Sequence, residues 1–198
     1  EDIHTKVASD IYGVSDKEVT KKMRSTAKAV IFGIVYGISG FGLGETLNIS
    51  QKEAKEFINK YYEFYPGVKE YMENIKEYAY KNGYVTTMFG RVRNIGELKD
   101  SNFHVRTMGE RMALNTPIQG TSADIMKMAM INVYNRFISE GIKSKVILQV
   151  HDEIIIDAFK DEEEQIEKIL KEEMEGVVKL SVPLKVEVNT GINWYSVK

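Results

Sequence analysis

The sequence predicts an α+β fold, on three observations. Apolar residues recur at helical spacing through much of the chain. Two segments, "GYVTTMFGRVRNI" at 83–95 and the run around "QVHDEIIID" at 149–157, read as hairpins. These strand pairs are interleaved with helices, which is the α+β pattern.

Taken in order, a long helix is predicted from about Asp16 to Tyr36, stopped by Gly37, Gly40, Gly42 and Gly44. Ser50 with Glu53 reads as a capping box ahead of Ala54, Phe57, Ile58, Tyr61 and Tyr62, a helical stripe ending at Pro66. The next helix has Val68, Tyr71, Met72, Ile75 and Tyr78 inward and is closed by Asn82-Gly83. The first hairpin turns at Gly90-Arg91. Helix then runs from about Asn102 to Ser139, broken or bent near Pro117 and Gly120. In the second hairpin, Val146-Ile147-Leu148 and Ile154-Ile155-Ile156 flank a charged tip. An acidic amphipathic helix follows, with Ile166, Ile169, Leu170 and Met174 inward, and "LKVEV" at 184–188 alternates as a strand does. No repeat, linker or low-complexity tract interrupts the chain.

The 198 residues, 43% hydrophobic and 28% charged, suffice for a sizeable core in one large domain or two small ones. With no cysteine, disulfides and thiolate metal sites are excluded, and a reducing, cytoplasmic compartment is the natural expectation. No apolar run approaches the ~20 residues of a membrane span, and no charged-then-apolar leader opens the chain. The first residue is Glu1 rather than Met, so the chain reads as a segment of something longer. A net charge of −2 argues mildly against a nucleic-acid partner. Distribution argues the other way, because Lys17, Lys21, Lys22, Arg24 and Lys28 crowd one stretch and Arg91, Arg93, Arg106 and Arg111 another. The acids gather instead at Asp161 to Glu164 and at Glu172-Glu173, as on a solvated helix face.

Three clusters could carry chemistry. Arg24, Lys28, Phe32 and Tyr36 are four apart, and each such step turns a helix about 40° past a full circle, so they share one broad face. Cations at one end and rings at the other suit a nucleoside triphosphate, phosphates meeting the former and sugar and base the latter. Ala27, Val30 and Ile34 point elsewhere and can pack inward; solvated cations beside core rings remain the plain alternative. Arg111, Asn115 and Gln119, again four apart, can donate to acceptors in a minor groove, or simply form a polar face around Pro117. At the hairpin tip stand His151, Asp152 and Glu153, without the Asn-Gly or Asp-Gly of a common two-residue turn. Carboxylates are hard oxygen ligands of the kind Mg²⁺ prefers, and paired divalent ions about 4 Å apart can activate a hydroxyl and stabilise a leaving pyrophosphate. One turn does not bracket two ions, however. Asp124 and Asp157 read as helix-start and strand residues, so a further carboxylate is expected from elsewhere.

At these motifs the sequence resembles family A DNA polymerases, the bacterial DNA polymerase I type. "RSTAKAVIFGIVYG" (Arg24 to Gly37) is similar to their fingers helix, "ERMALNTPIQGTSADI" (Glu110 to Ile125) to their palm helix, and "QVHDE" (Gln149 to Glu153) to their second carboxylate motif. "EDIHT" (Glu1 to Thr5) resembles the segment after their first carboxylate motif, and "VPLKVEVNTGINWYSVK" their C-terminal strand and tail. The resemblance therefore covers essentially the whole chain.

It implies a helical fingers subdomain over 1–100, with its nucleotide-binding helix at about 16–37, and the C-terminal part of a palm over 101–198. Asp152 would ligate two catalytic Mg²⁺ ions with Glu153 in support, and His151 would touch the primer terminus. His4, Arg24 and Lys28 would bind the incoming deoxynucleoside triphosphate, Lys28 also offering a proton to the leaving pyrophosphate. Phe32 would meet the nucleotide sugar and Tyr36 the template–primer base pair. Arg111, Asn115 and Gln119 would follow the primer–template duplex. The helix would swing closed on a correct pair. The first catalytic aspartate would lie in the N-terminal part of the polymerase, before Glu1, so the isolated chain is expected not to polymerise. Ile31 stands where the family usually has Asn, Ser25 replaces a second Arg, and "GRVRNIGEL" lacks the usual Pro. Two alternatives are a non-catalytic nucleic-acid-binding module derived from a polymerase and a metal-dependent phosphatase or nuclease built on the same tip. The intact His151-Asp152-Glu153 speaks against the first, and the stripe from Arg24 to Tyr36 is left unexplained by the second.

Overall fold

Asp2 starts the first helix: its backbone is extended and its carboxylate accepts from the His4 N–H, capping α1 (Ile3–Tyr12). The computed structural model describes residues 2–197, which divide into two compact units on either side of the step from Ile118 to Gln119. The α+β class predicted from sequence holds, since helices dominate and two small antiparallel hairpins accompany them.

In the first unit, the single helix expected from Asp16 to Tyr36 is interrupted. Ser15 and Glu18 close a capping box around one 3₁₀ turn, Asp16–Glu18. Thr20 then caps α2 (Lys21–Val35), accepting from the Met23 N–H at 3.2 Å. Two capping residues so close together satisfy helix-start donors twice, and the extended backbone of Val19 and Thr20 separates the pieces. Gly37, in the left-handed region at φ 67°, does end the helix. The other glycines do not: Gly40–Leu47 is itself a helix, α3. At Gly44 a Cβ would stand 3.0 Å from the Ile49 carbonyl oxygen, so the small residue permits close packing rather than stopping the chain.

The capping box at Ser50 and Glu53 forms as the sequence predicts, opening α4 (Gln51–Phe64). Pro66 opens α5 (Pro66–Asn82), which closes on left-handed Gly83. On α5 the inward stripe is Val68, Met72, Ile75 and Ala79, whereas Tyr71 and Tyr78 are 41% exposed, each flanking a stripe narrower than the sequence suggests. The hairpin β1 (Tyr84–Thr86) and β2 (Val92–Asn94) follows, with Gly90 at φ 81° in its turn. It leads into α6 (Phe103–Asn115). The core of this unit gathers Val7, Ala8 and Ile11 of α1, Ala27, Val30 and Ile34 of α2, Leu43, Ala54 and Leu114.

A π turn, Thr116–Gly120, interrupts the α-helical ladder between α6 and α7 (Thr121–Ser139), where the sequence predicts a break or bend near Pro117 and Gly120. Pro117 has no N–H to give an α-helical ladder, which favours the wider turn. In the second unit, β3 (Lys145–Val150) pairs antiparallel with β4 (Glu153–Asp157), with a bulge between Val146 and Leu148. Then α8 (Glu163–Glu175) buries Ile166, Ile169 and Leu170 against Val133 and Phe137 of α7. The strand expected at 184–188 is absent. Leu184, Val186 and Val188 are half-buried in alternation, as the pattern requires, but the Val186 N–H is taken by the Glu175 carboxylate at 3.0 Å rather than by a neighbouring strand. Alternation specifies an extended chain; a ladder also needs a partner edge.

Candidate functional site

Helix α2 presents two chemically opposite faces. Ala27 and Val30 are fully buried and Ile34 nearly so, fixing the rotation of the helix against the core. Arg24, Lys28, Phe32 and Tyr36 consequently lie toward solvent on the other side, as the four-residue spacing predicts. The Lys28 Nζ sits 5.8 Å from the Phe32 ring centroid, within cation–π range. Phe32 and Tyr36 are stacked, centroids 6.3 Å apart and planes 15° off parallel. From α1, the His4 ring reaches 5.9 Å from Phe32. His4 is half-buried, and its Nδ1 is buried with no protein hydrogen-bond partner. Ile31, flagged by the sequence as a departure, packs partly into the core instead of standing on the stripe.

The Arg24 guanidinium is already engaged. Its Nε donates to Asp2 Oδ2 at 2.6 Å and its Nη2 to Oδ1 at 3.2 Å. The Thr5 hydroxyl also donates to the same carboxylate. Arg24 first, then Thr5, hold the Asp2 carboxyl far below the usual carboxylate range. Asp2 was not among the residues the sequence singled out. The signal was nevertheless present, since an Asp directly before an apolar helical start is a capping signature. Lys28 has no carboxylate within ion-pair distance among the described residues. The face thus offers one clamped cation, one unclamped cation, an imidazole and two exposed rings. Such a surface can take an anionic ligand that also carries a flat ring.

Helix α6 runs past the end of α2. A Cβ at Gly37 would lie 3.2 Å from both Arg111 Cγ and Leu114 Cδ1, so Arg111 stands beside the aromatic end of the stripe. Arg111 is exposed, while the Asn115 Oδ1 is buried and has no protein donor. Thr116, next in the chain, is held from two sides: its hydroxyl donates to the Met112 carbonyl at 2.7 Å and accepts from the Arg93 guanidinium at 3.2 Å. The expected regular face of Arg111, Asn115 and Gln119 needs correction. Arg111 and Asn115 are one α-helical step apart, but the step to Gln119 crosses the π turn, where the helix is underwound. Gln119 is exposed within that turn, in the second unit.

The hairpin tip is a two-residue turn, since Val150 pairs with Glu153. His151 occupies the left-handed region at φ 52°, which explains how a tight turn forms without glycine. The Gln149 side chain donates to the His151 carbonyl, bracing it. His151, Asp152 and Glu153 are all exposed, so the two carboxylates offer oxygen donors to solvent at the hairpin tip. Among the described residues no cluster of three or more His, Cys, Asp and Glu could hold a metal ion. Asp152 and Glu153 fit part of a hard-cation ligand set.

No helix among the described residues is long and apolar enough to cross a membrane. The chain is 53% identical over 197 residues to DNA polymerase I of Caldicellulosiruptor bescii and 54% identical to that of Bacillus caldotenax. Each of those matches takes in the whole of this chain but only 23% and 22% of the relative. Among solved structures it superimposes, with a TM-score of 0.95 and 41% identity, on the polymerase domain of Pol1 from M. smegmatis in complex with DNA primer-template and dNTP, covering 35% of that chain. The sequence profile of DNA polymerase family A matches residues 1–196, and the chain belongs to that family.

Proposed function

We propose that this chain is the fingers and part of the palm of a template-directed DNA polymerase, with the fingers over about 1–100 and the palm over about 101–198. Membership of the family across residues 1–196 supports the reaction class. The observation that carries the reading to residues is the exposed stripe of Arg24, Lys28, Phe32 and Tyr36, joined by His4. His4, Arg24 and Lys28 bind the triphosphate of an incoming deoxynucleotide, and Lys28 delivers a proton to the departing pyrophosphate. Phe32 lies against the sugar, and Tyr36 against the template–primer base pair. Arg111, Asn115 and Gln119 follow the primer–template through its minor groove, the Asn115 amide oxygen accepting there the donor it lacks in the protein. His151 contacts the primer terminus.

Asp152 would hold Mg²⁺ with Glu153 in support, and the ions, when bound, would supply the charge that activates a primer 3′ hydroxyl and stabilises a leaving pyrophosphate. The relatives are roughly four times longer, so the remaining carboxylate is proposed to come from a segment outside these residues. The chain alone is then expected to be silent in synthesis. Its setting is proposed to be cytoplasmic.

The test is primer extension with Mg²⁺ and four deoxynucleotides, on the chain alone and after mixing with a separately made upstream part of the C. bescii enzyme. Synthesis only on mixing, lost in Asp152→Asn, is the expected result. Synthesis that survives Asp152→Asn refutes the assignment. DNA binding with no synthesis in any mixture favours a non-catalytic binding module.

A further inference from the structure

We infer that Asp2 is an internal stand-in for phosphate, a carboxylate that occupies Arg24 until a polyanionic ligand takes the guanidinium over. The inference rests on reading Arg24 and Lys28 as triphosphate ligands. Two adjacent N–H groups of Arg24 meet the two oxygens of one carboxylate, at 2.6 and 3.2 Å. That fork presents equally well to two oxygens of one phosphoryl group. The pair is close to half exposed on both sides, 46% and 41%, so a dissolved ligand can reach it and water screens it. An exposed pair of this kind is weak enough to exchange.

Asp2 does not leave when it is displaced. The Thr5 hydroxyl and the His4 N–H still hold its carboxylate at the start of α1. The negative charge therefore stays beside the site and opposes every anion that enters. Only a ligand that also engages Lys28, across the same face, outcompetes it. Asp2 thus acts as a positioning and specificity residue: it keeps Arg24 oriented when the site is empty and sets a threshold of charge for entry.

The test titrates inorganic triphosphate into the 198-residue chain at fixed salt, following α2 backbone amides by NMR. Asn caps a helix as well as Asp, so Asp2→Asn removes the charge while keeping α1. It is expected to bind triphosphate about two- to fivefold more tightly, the range an exposed ion pair commands. In an Arg24→Ala background the same substitution is expected to have a smaller effect, because only the charge repulsion is then relieved, closing a double-mutant cycle. Without any substitution, the Arg24 Nε–H and the Asp2 carboxyl carbon are expected to shift along one titration curve. Unchanged or weaker binding by Asp2→Asn, an undiminished effect without Arg24, or movement of Arg24 without Asp2 each overturns the inference. If Lys28→Ala fails to weaken triphosphate binding, the nucleotide reading itself falls, and the Asp2 role with it.

Discussion

Phe32 and Tyr36 leave 43% and 45% of their surfaces in solvent. Phe32 sits on, and Tyr36 caps, a helix whose opposite face is packed tightly, so their exposure is set by the register of Ala27 and Val30. Burial decides the stripe, and the stripe then has only charge and aromatic surface to offer. Packing at the residue scale is as decisive on α6. At Gly109 a Cβ would stand 3.0 Å from Glu97 Cβ, 3.1 Å from the Leu98 nitrogen and 3.2 Å from Leu98 Cδ2. Gly109→Ala gains about 1 kcal/mol of helix propensity. It also forces overlap with the backbone of a residue that is 5% exposed and has nowhere to go. Overpacking costs about 1–3 kcal/mol, so the clash wins. A lowered urea midpoint, by about 1 kcal/mol in stability, is expected; a gain in stability shows that α6 can slide.

Among the elements, the connection from α7 into the hairpin depends on one carboxylate. Glu162 accepts from the Lys143 N–H at 3.0 Å, from the Ser144 N–H at 2.9 Å and from the Ser144 hydroxyl at 2.6 Å. Ser144 Oγ in turn accepts from the Phe159 N–H at 2.8 Å. The base of the β3–β4 hairpin is thereby stapled to the approach to α8, which steadies the strands that carry His151 to Glu153. The Ser144 hydroxyl, then the Lys143 N–H, hold the Glu162 carboxyl below its ordinary value. Because the folded value is depressed, the contribution is complete above the unfolded value of about 4.3 and is lost as pH falls through the folded one. Urea unfolding of wild type and Glu162→Gln between pH 7 and pH 3 is expected to show a difference that shrinks below about pH 4. A gap independent of pH removes the carboxylate from this role. The Ser50–Glu53 box on α4 is the opposite case in legibility, because capping residues adjacent in sequence are readable there and a contact from 162 back to 144 is not.

On the scale of the whole molecule, two compact units have their own cores. Leu43 anchors one at full burial, Ile169 the other, and the two clusters share no residue. Leu43→Ala and Ile169→Ala are each expected to cost about 2–5 kcal/mol. Combined, they are expected to add to within about 0.5 kcal/mol, measured by denaturant unfolding of both singles and the double. A larger interaction energy shows that the two cores are coupled. The sequence by itself determined the α+β class, the capping box at Ser50, the stop at Gly37, an irregular helix near Pro117 and the membership of the stripe, because each follows from local period, local capping or backbone freedom. Only the tertiary structure decided that the 16–37 helix is split, that α3 is helical despite its glycines, that the step from Asn115 to Gln119 is underwound, and that 184–188 has no strand partner. It alone brought Asp2 to Arg24, residues 22 positions apart. Such outcomes depend on which edges and side chains long-range packing brings together, and no periodicity within one segment encodes that.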